Sequence, residues 1–164
     1  MRRFVVAAAV AALIVMAASP SRAQAPAAGA AAGEAGVRTV VTGFGKRLRD
    51  VSLTAPKAAA AKAMAGAYAP YLAPKLLAAW KRNPQKAAGK QTSSPYPARI
   101  EIATIKPEEG KKGRDAFVVT GKVILLTARE ERDGGAFASN PVTMTIEKQQ
   151  GKWLITAYEE KEGD

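Results

Sequence analysis

Pro141-Val142-Thr143-Met144-Thr145-Ile146-Glu147-Lys148 places Val142, Met144 and Ile146 on one side of an extended chain and Thr143, Thr145 and Glu147 on the other. A period of two with one apolar face is the pattern of a half-buried strand. Gln149-Gln150-Gly151 interrupts it, and Trp153-Leu154-Ile155-Thr156-Ala157-Tyr158 follows as a second β-rich run. Two such runs joined by a short glycine-containing break predict a hairpin. This pair decides the fold, because its apolar face needs a second layer to cover it.

Toward the N terminus the period of two continues. Ala116 to Ala128 is long and β-branched, with Gly121 where a bulge or bend is expected. Arg99-Ile100-Glu101-Ile102 alternates, and Gly110-Lys111-Lys112-Gly113 and Asp133-Gly134-Gly135 read as hairpin turns. Consecutive hairpins make an antiparallel meander of four strands.

Before Arg99 the period becomes 3.6. Val37, Val40, Val41, Phe44, Leu48 and Val51 mark one face of a helix. Gly43 and Gly45 each weaken it by ~1 kcal/mol relative to alanine, so packing must hold it. Thr54-Ala55-Pro56 stops this helix and opens an alanine-rich second one, with Thr54 as its expected cap and Pro70 as its end. Its apolar edge is Ala60, Met64, Ala67 and Tyr71. Pro74 opens a third helix, with Leu76, Leu77 and Trp80 on one face, and Asn83-Pro84 closes it. Residues 84–98 read as a loop. Three helices followed by four strands predict an α+β fold, helices packed on one face of a bent four-stranded antiparallel sheet.

The first residues address location. Arg2 and Arg3 precede an apolar run, Phe4 to Ala18, then Ser19-Pro20-Ser21-Arg22-Ala23-Gln24-Ala25. Fifteen apolar residues at ~1.5 Å each span roughly 22 Å, short of the ~30 Å hydrocarbon core. The pattern predicts a signal peptide over residues 1–23, cleaved after Ala23 or Ala25. Residues 24–36 then read as a flexible Ala/Gly/Pro tether, 37–160 as a single folded domain, and 161–164 as a polar tail. The expected location is periplasmic, cell-wall-associated or secreted.

Composition narrows the chemistry. The chain has no cysteine and no histidine. Disulfides, thiol and Ser-His nucleophiles, and the usual zinc ligands are excluded. No calcium loop and no glycine-rich phosphate loop is present, so no metal and no cofactor is expected. What survives is Asp/Glu acid-base work, a lysine, or a tyrosine hydroxyl. Charge is segregated: residues 24–99 carry twelve Lys/Arg against Glu34 and Asp50, a net +10, and residues 100–164 carry ten against twelve Asp/Glu, a net −2. A basic half can be drawn to anionic wall polymers or lipid headgroups, or can simply keep the protein soluble. Nucleic acid is the least expected partner, since no RNA-binding or helix-turn-helix motif is present.

The order of elements, the Gly151-Lys152-Trp153-Leu154-Ile155 ending and the bend-prone Gly121 resemble the NTF2-like (cystatin-like cone) superfamily over residues 37–160. The segment Ser93-Ser94-Pro95-Tyr96-Pro97-Ala98-Arg99-Ile100-Glu101-Ile102 is also similar to one in exported bacterial proteins of this type with no assigned activity. The resemblance implies a sheet wrapped around the first helix, with a conical cavity. That superfamily includes isomerases, dehydratases, cyclases and non-catalytic modules, so it assigns no function and no active-site residue.

Several residues are candidates for binding. Tyr68, Tyr71 and Trp80 either line the mouth of a cone and grip an apolar ligand, or plug it. Tyr96, fixed between Pro95 and Pro97, is either a rigid binding anchor or a lead-in to the first strand. Arg99 and Glu101, two apart on a strand, share one face. They polarise a pocket if that face is concave and form an exposed ion pair if it is convex. Lys46, Arg47, Arg49, Lys75, Lys81, Arg82, Lys86 and Lys90 would form an anion-binding surface if the helical segments lie side by side. The sequence therefore points to an exported, non-catalytic binding or interaction module, contacting an anionic envelope polymer or lipid headgroup or a small apolar ligand. The rivals are a small isomerase or cyclase using a carboxylate–tyrosine pair, and a homodimerisation domain.

Overall fold

The computed structural model describes residues 25–110 and 115–163, with side chains from residue 31 onward. Helix α1 (Ala25–Arg47) runs into a 3-10 turn (Leu48–Asp50). Helices α2 (Lys57–Tyr68) and α3 (Pro74–Arg82) follow, then a second 3-10 turn (Pro84–Lys86). Strands β1 (Tyr96–Pro107) and β2 (Ala116–Leu126) come next. A short helix α4 (Ala128–Asp133) leads to β3 (Ala138–Gln149) and β4 (Lys152–Glu160). The strands lie in the order β1-β2-β3-β4, every neighbouring pair antiparallel. This is the α+β meander that the change of period predicts.

The alternation of β3 sets the sheet's two faces. Val142, Met144 and Ile146 point at the helices together with Val119, Val123 and Ile155, and all are buried. Opposite them α1 supplies Val37, Val41 and Phe44 and the following 3-10 turn Leu48, none with exposed surface. Each large side chain so enclosed contributes roughly 1.5–3 kcal/mol relative to leaving it in water. Val51, Met64 and Leu72 complete the same core.

Gly121 sits where the sheet bends. The β1–β2 register slips between Ile102 and Thr104, beside the Ile102–Gly121 pair. A Cβ on Gly121 would collide with the carbonyl oxygen of Glu101, so the strands can approach this closely only at a glycine. The last hairpin turns through Gln150 and Gly151, both at positive φ (50° and 79°), a conformation that suits the twist of antiparallel strands. Beyond β4 the segment Tyr71–Ala73 pairs in parallel with Ile155. The Ala73 N–H donates to the Ile155 carbonyl at 2.9 Å, and the Ile155 N–H to the Tyr71 carbonyl at 2.8 Å.

The structure corrects the sequence reading in several places. Helix α1 begins at Ala25, so residues 25–36 are helical and not a flexible tether. Alanine has the highest helix propensity, and the glycines here receive large rings from the sheet. A Cβ on Gly33 would lie 3.1 Å from the Phe117 ring, and one on Gly36 would collide with the Trp153 indole. The connection after β2 is not a bare hairpin. Thr127 and Glu130 form a capping box that starts α4, and Gly134 at φ 81° ends it. Thr54 caps nothing; its hydroxyl meets that of Ser52 at 3.1 Å. Strand β1 starts at Tyr96, inside the expected loop. The expected polar tail is not overturned, and at its start the Lys161 N–H donates to the Pro141 carbonyl at 3.0 Å. The expected signal peptide and the tip of the Gly110–Gly113 turn lie outside the described residues. Among the described residues, no helix is long and apolar enough to cross a membrane.

Candidate functional site

Four elements bring one aromatic ring each to the space between helices and sheet: Phe44 from α1, Tyr68 from α2, Trp80 from α3 and Tyr158 from β4. Phe44 and Tyr68 meet edge to face at 5.0 Å, Trp80 and Tyr158 at 5.5 Å, and Tyr68 and Trp80 at 6.0 Å. Edge-to-face contact is the favoured geometry for such rings. Tyr68 has no exposed surface and Trp80 is 4% exposed. The Tyr68 hydroxyl donates to the Ala88 carbonyl at 2.9 Å. Burial pushes the Tyr68 phenol up, helped by the charges of Asp50 and Glu160. Tyr68 and Trp80 thus occupy the interior as packing. Tyr71 stands apart from them, half-buried over Gly43, whose added Cβ would lie 2.6 Å from its ring. Its hydroxyl lies beside Arg47 and, with Asp50, holds that guanidinium's pKa up.

A polar cleft opens where this aromatic cluster reaches the surface, at the end of β4. It has a volume of about 420 Å³ and is walled by Gln85, Lys86 and Gln91 on the helical side and by Asn140, Tyr158 and Glu160 on the sheet side. The Tyr158 hydroxyl donates to Glu160 Oε2 at 2.5 Å, and Asn140 Nδ2 donates to Glu160 Oε1 at 2.8 Å. Burial drives the Tyr158 phenol well above its usual pKa, and the neighbouring Glu160 charge adds to this.

Tyr96 and the Arg99–Glu101 pair lie elsewhere. The Tyr96 hydroxyl donates to Glu131 Oε2 at 2.7 Å, and Arg49 Nη1 donates to Glu131 Oε1 at 3.2 Å. This contact ties the start of β1 to α4 and to the 3-10 turn that follows α1. The bond from Tyr96, followed by that from Arg49, holds the Glu131 carboxyl below its usual range; the same bond raises Tyr96. Arg99 reaches Glu101 Oε1 through Nη2 at 2.8 Å and Nε at 3.0 Å. Both side chains are about half exposed, on the opposite side of β1 from buried Ile100. They belong to the sheet's open face, where an ion pair contributes little to stability.

The eight basic candidates are spread over several elements. Arg47 pairs with Asp50 at 3.3 Å and Arg49 with Glu131 at 3.2 Å, so part of the charge at the end of α1 is neutralised locally. Lys81 and Arg82 end α3, and Lys86 ends the following 3-10 turn. All three are exposed, and among the described residues no carboxylate lies within 4.0 Å of them. The Phe44–Trp80 ring contact at 6.2 Å joins α1 to α3, while Lys46, two residues on from Phe44, is exposed near the end of α1. Lys75 opens α3 and faces a different hollow, beside Thr145 and Thr156. Lys90 bridges to Ser52 through its backbone. From residue 51 to residue 100 the chain has eight Lys/Arg and no Asp or Glu.

Asn140, Glu160, Gln85 and Gln91 were not singled out by their sequence context. The local signal available was Tyr158-x-Glu160, a spacing of two that puts phenol and carboxylate on one face of a strand. Among the described residues no group of three Asp or Glu side chains converges as a metal site. Comparison with family profiles, with curated proteins and with solved structures finds no match to this chain.

Proposed function

We propose that this chain is a non-catalytic interaction module of the cell envelope, whose basic helical layer contacts an anionic polymer or lipid headgroup. The observation that carries this reading is the acid-free stretch from residue 51 to residue 100, with Lys81, Arg82 and Lys86 exposed and unpaired at its centre. Unpaired cations on a rigid surface attract polyanions, and salt screens that attraction within about 8–10 Å. Export through the N-terminal segment and membership of the NTF2-like superfamily are parts of the same proposal. Packing of Phe44, Tyr68, Trp80 and Tyr158 in the interior weighs against an apolar ligand held there.

The test is retention of the processed protein on immobilised heparin and on vesicles containing acidic phospholipid, across a salt series. Retention should fall steeply with salt and be lost in the triple variant Lys81→Glu, Arg82→Glu, Lys86→Glu. Unchanged retention in that variant would sink the proposal.

The isomerase reading has one observation in its favour, the Tyr158–Glu160 contact beside a cleft. Against it, the phenol proton is directed at Glu160, and both carboxylate oxygens already accept hydrogen bonds.

A further inference from the structure

We propose that the cleft at the end of β4 binds a neutral saccharide, with Glu160, Gln91 and Glu162 as its hydrogen-bonding wall. This site shares Lys86 with the basic cluster but does not rest on the polyanion reading.

The first argument is shape. The hollow of about 420 Å³ adjoins a second of about 260 Å³, and both share Gln91, Asn140, Glu160 and Glu162. Two compartments along one polar wall suit a short chain of rings better than a single compact ligand. Volumes of this order are those of small-molecule sites.

The second argument is the mixture of charges. Glu159, Glu160 and Glu162 line the larger hollow together with Lys86 and Lys161. A cation entering there meets two ammonium groups, and an anion meets three carboxylates. A hydroxyl both donates and accepts, so adjacent hydroxyls can satisfy carboxylate and ammonium at once without bringing a charge to be desolvated.

The third argument is preorganisation. Glu160 is clamped between Tyr158 and Asn140, and the Asn140 amide oxygen itself accepts from the Gly163 N–H at 3.2 Å. Each carboxylate oxygen retains a further lone pair for a ligand. Gln85 is held through Nε2, which donates to the Leu53 carbonyl at 3.1 Å, leaving its amide oxygen to accept. The Tyr158 ring cannot swing away, because Phe44 and Trp80 pack on it. Pro95, Pro97 and Leu125 give the smaller hollow an apolar wall, matching the C–H faces of a sugar ring.

The experiment is an amide NMR titration of the processed full chain with maltose, cellobiose and N,N′-diacetylchitobiose, alongside putrescine, succinate and glycine. At least one disaccharide should give saturable shifts at Gln91, Asn140 and Glu160. Gln91→Ala and Glu162→Gln, both at exposed positions, should each weaken it by about fivefold, as expected for one lost hydrogen bond. Glu160→Gln should weaken it more, with an unchanged amide spectrum elsewhere showing that the fold is kept. No saturable shift with any of the three disaccharides would overturn the proposal. So would binding that survives all three substitutions, or a stronger response to the dication, the dianion or the zwitterion.

Discussion

Tyr158 belongs to two environments. Its ring packs with Phe44 and Trp80 in an interior where, among the described residues, no charged residue is buried. Its hydroxyl emerges among Asn140, Glu160 and the amides of a polar cleft. The interior is close-packed and selects by shape; the rim selects by hydrogen bonds and charge. The two should therefore respond to substitution in opposite ways, the interior in stability and the rim in binding.

The largest effect is expected at the ring cluster. Trp80→Ala should cost about 3–5 kcal/mol of stability by chemical denaturation, because the indole is nearly fully enclosed. A loss below about 1 kcal/mol would mean that the neighbouring rings collapse into the space. Next come two glycines that should differ in sign. Gly45→Ala would put a Cβ 2.7 Å from the Ile100 backbone nitrogen and should cost about 1–3 kcal/mol. Gly66→Ala, inside α2 with nothing within 4 Å, should stabilise by about 0.5–1 kcal/mol. Equal effects at both positions would break the contrast between a packed interior and an open helix face.

Tyr68→Phe isolates the buried hydroxyl. Leaving the Ala88 carbonyl without its donor should cost about 1–3 kcal/mol. The pH dependence has a definite sign. Burial raises the phenol's folded pKa, so its contribution is complete below the ordinary tyrosine pKa of ~10. It is lost as pH rises through the folded value. Phenolate absorbance should show Tyr68 titrating only with alkaline unfolding, and the variant should lose less stability in that window.

The smallest effect belongs to the surface contact at Tyr96. Tyr96→Phe should let the Glu131 pKa rise toward the usual carboxylate value, as read by carboxyl NMR titration, while the denaturation midpoint hardly moves. In the wild type that carboxyl is held low, so its contribution is present above the ordinary carboxylate pKa and lost as pH falls through the folded value. An unmoved Glu131 titration in the variant would show that the bond is not formed in solution.

The strands and the helices α2 and α3 were legible because each has a local pattern: the alternation of β3, the prolines bracketing α3, the bend at Gly121. The start of α1 was not. Residues 25–36 contain no large apolar side chain, and their helix docks through Phe117 and Trp153, rings supplied from strands far along the chain. Helix α4 had a readable signal in Thr127-x-x-Glu130, masked by the stronger turn signal of Asp133-Gly134-Gly135. The cleft draws on residues 85–97, 125, 140 and 158–162, whose meeting depends on the meander register. Arg99 and Glu101 were legible as a same-face pair, but which face they share depends on how β1 lies against α1.

The short pairing of Tyr71–Ala73 with Ile155 has a consequence for life at high concentration. It occupies the outward N–H and C=O of Ile155, in the middle of β4, where an incoming strand would pair. The opposite border, β1, is protected by other means: prolines near both ends, at Pro97 and Pro107, an irregular register beyond Ile102, and an exposed lysine at Lys106. Each border thus carries a feature that discourages edge-to-edge pairing with a neighbouring molecule. A crowded solution of this protein should therefore resist fibril growth.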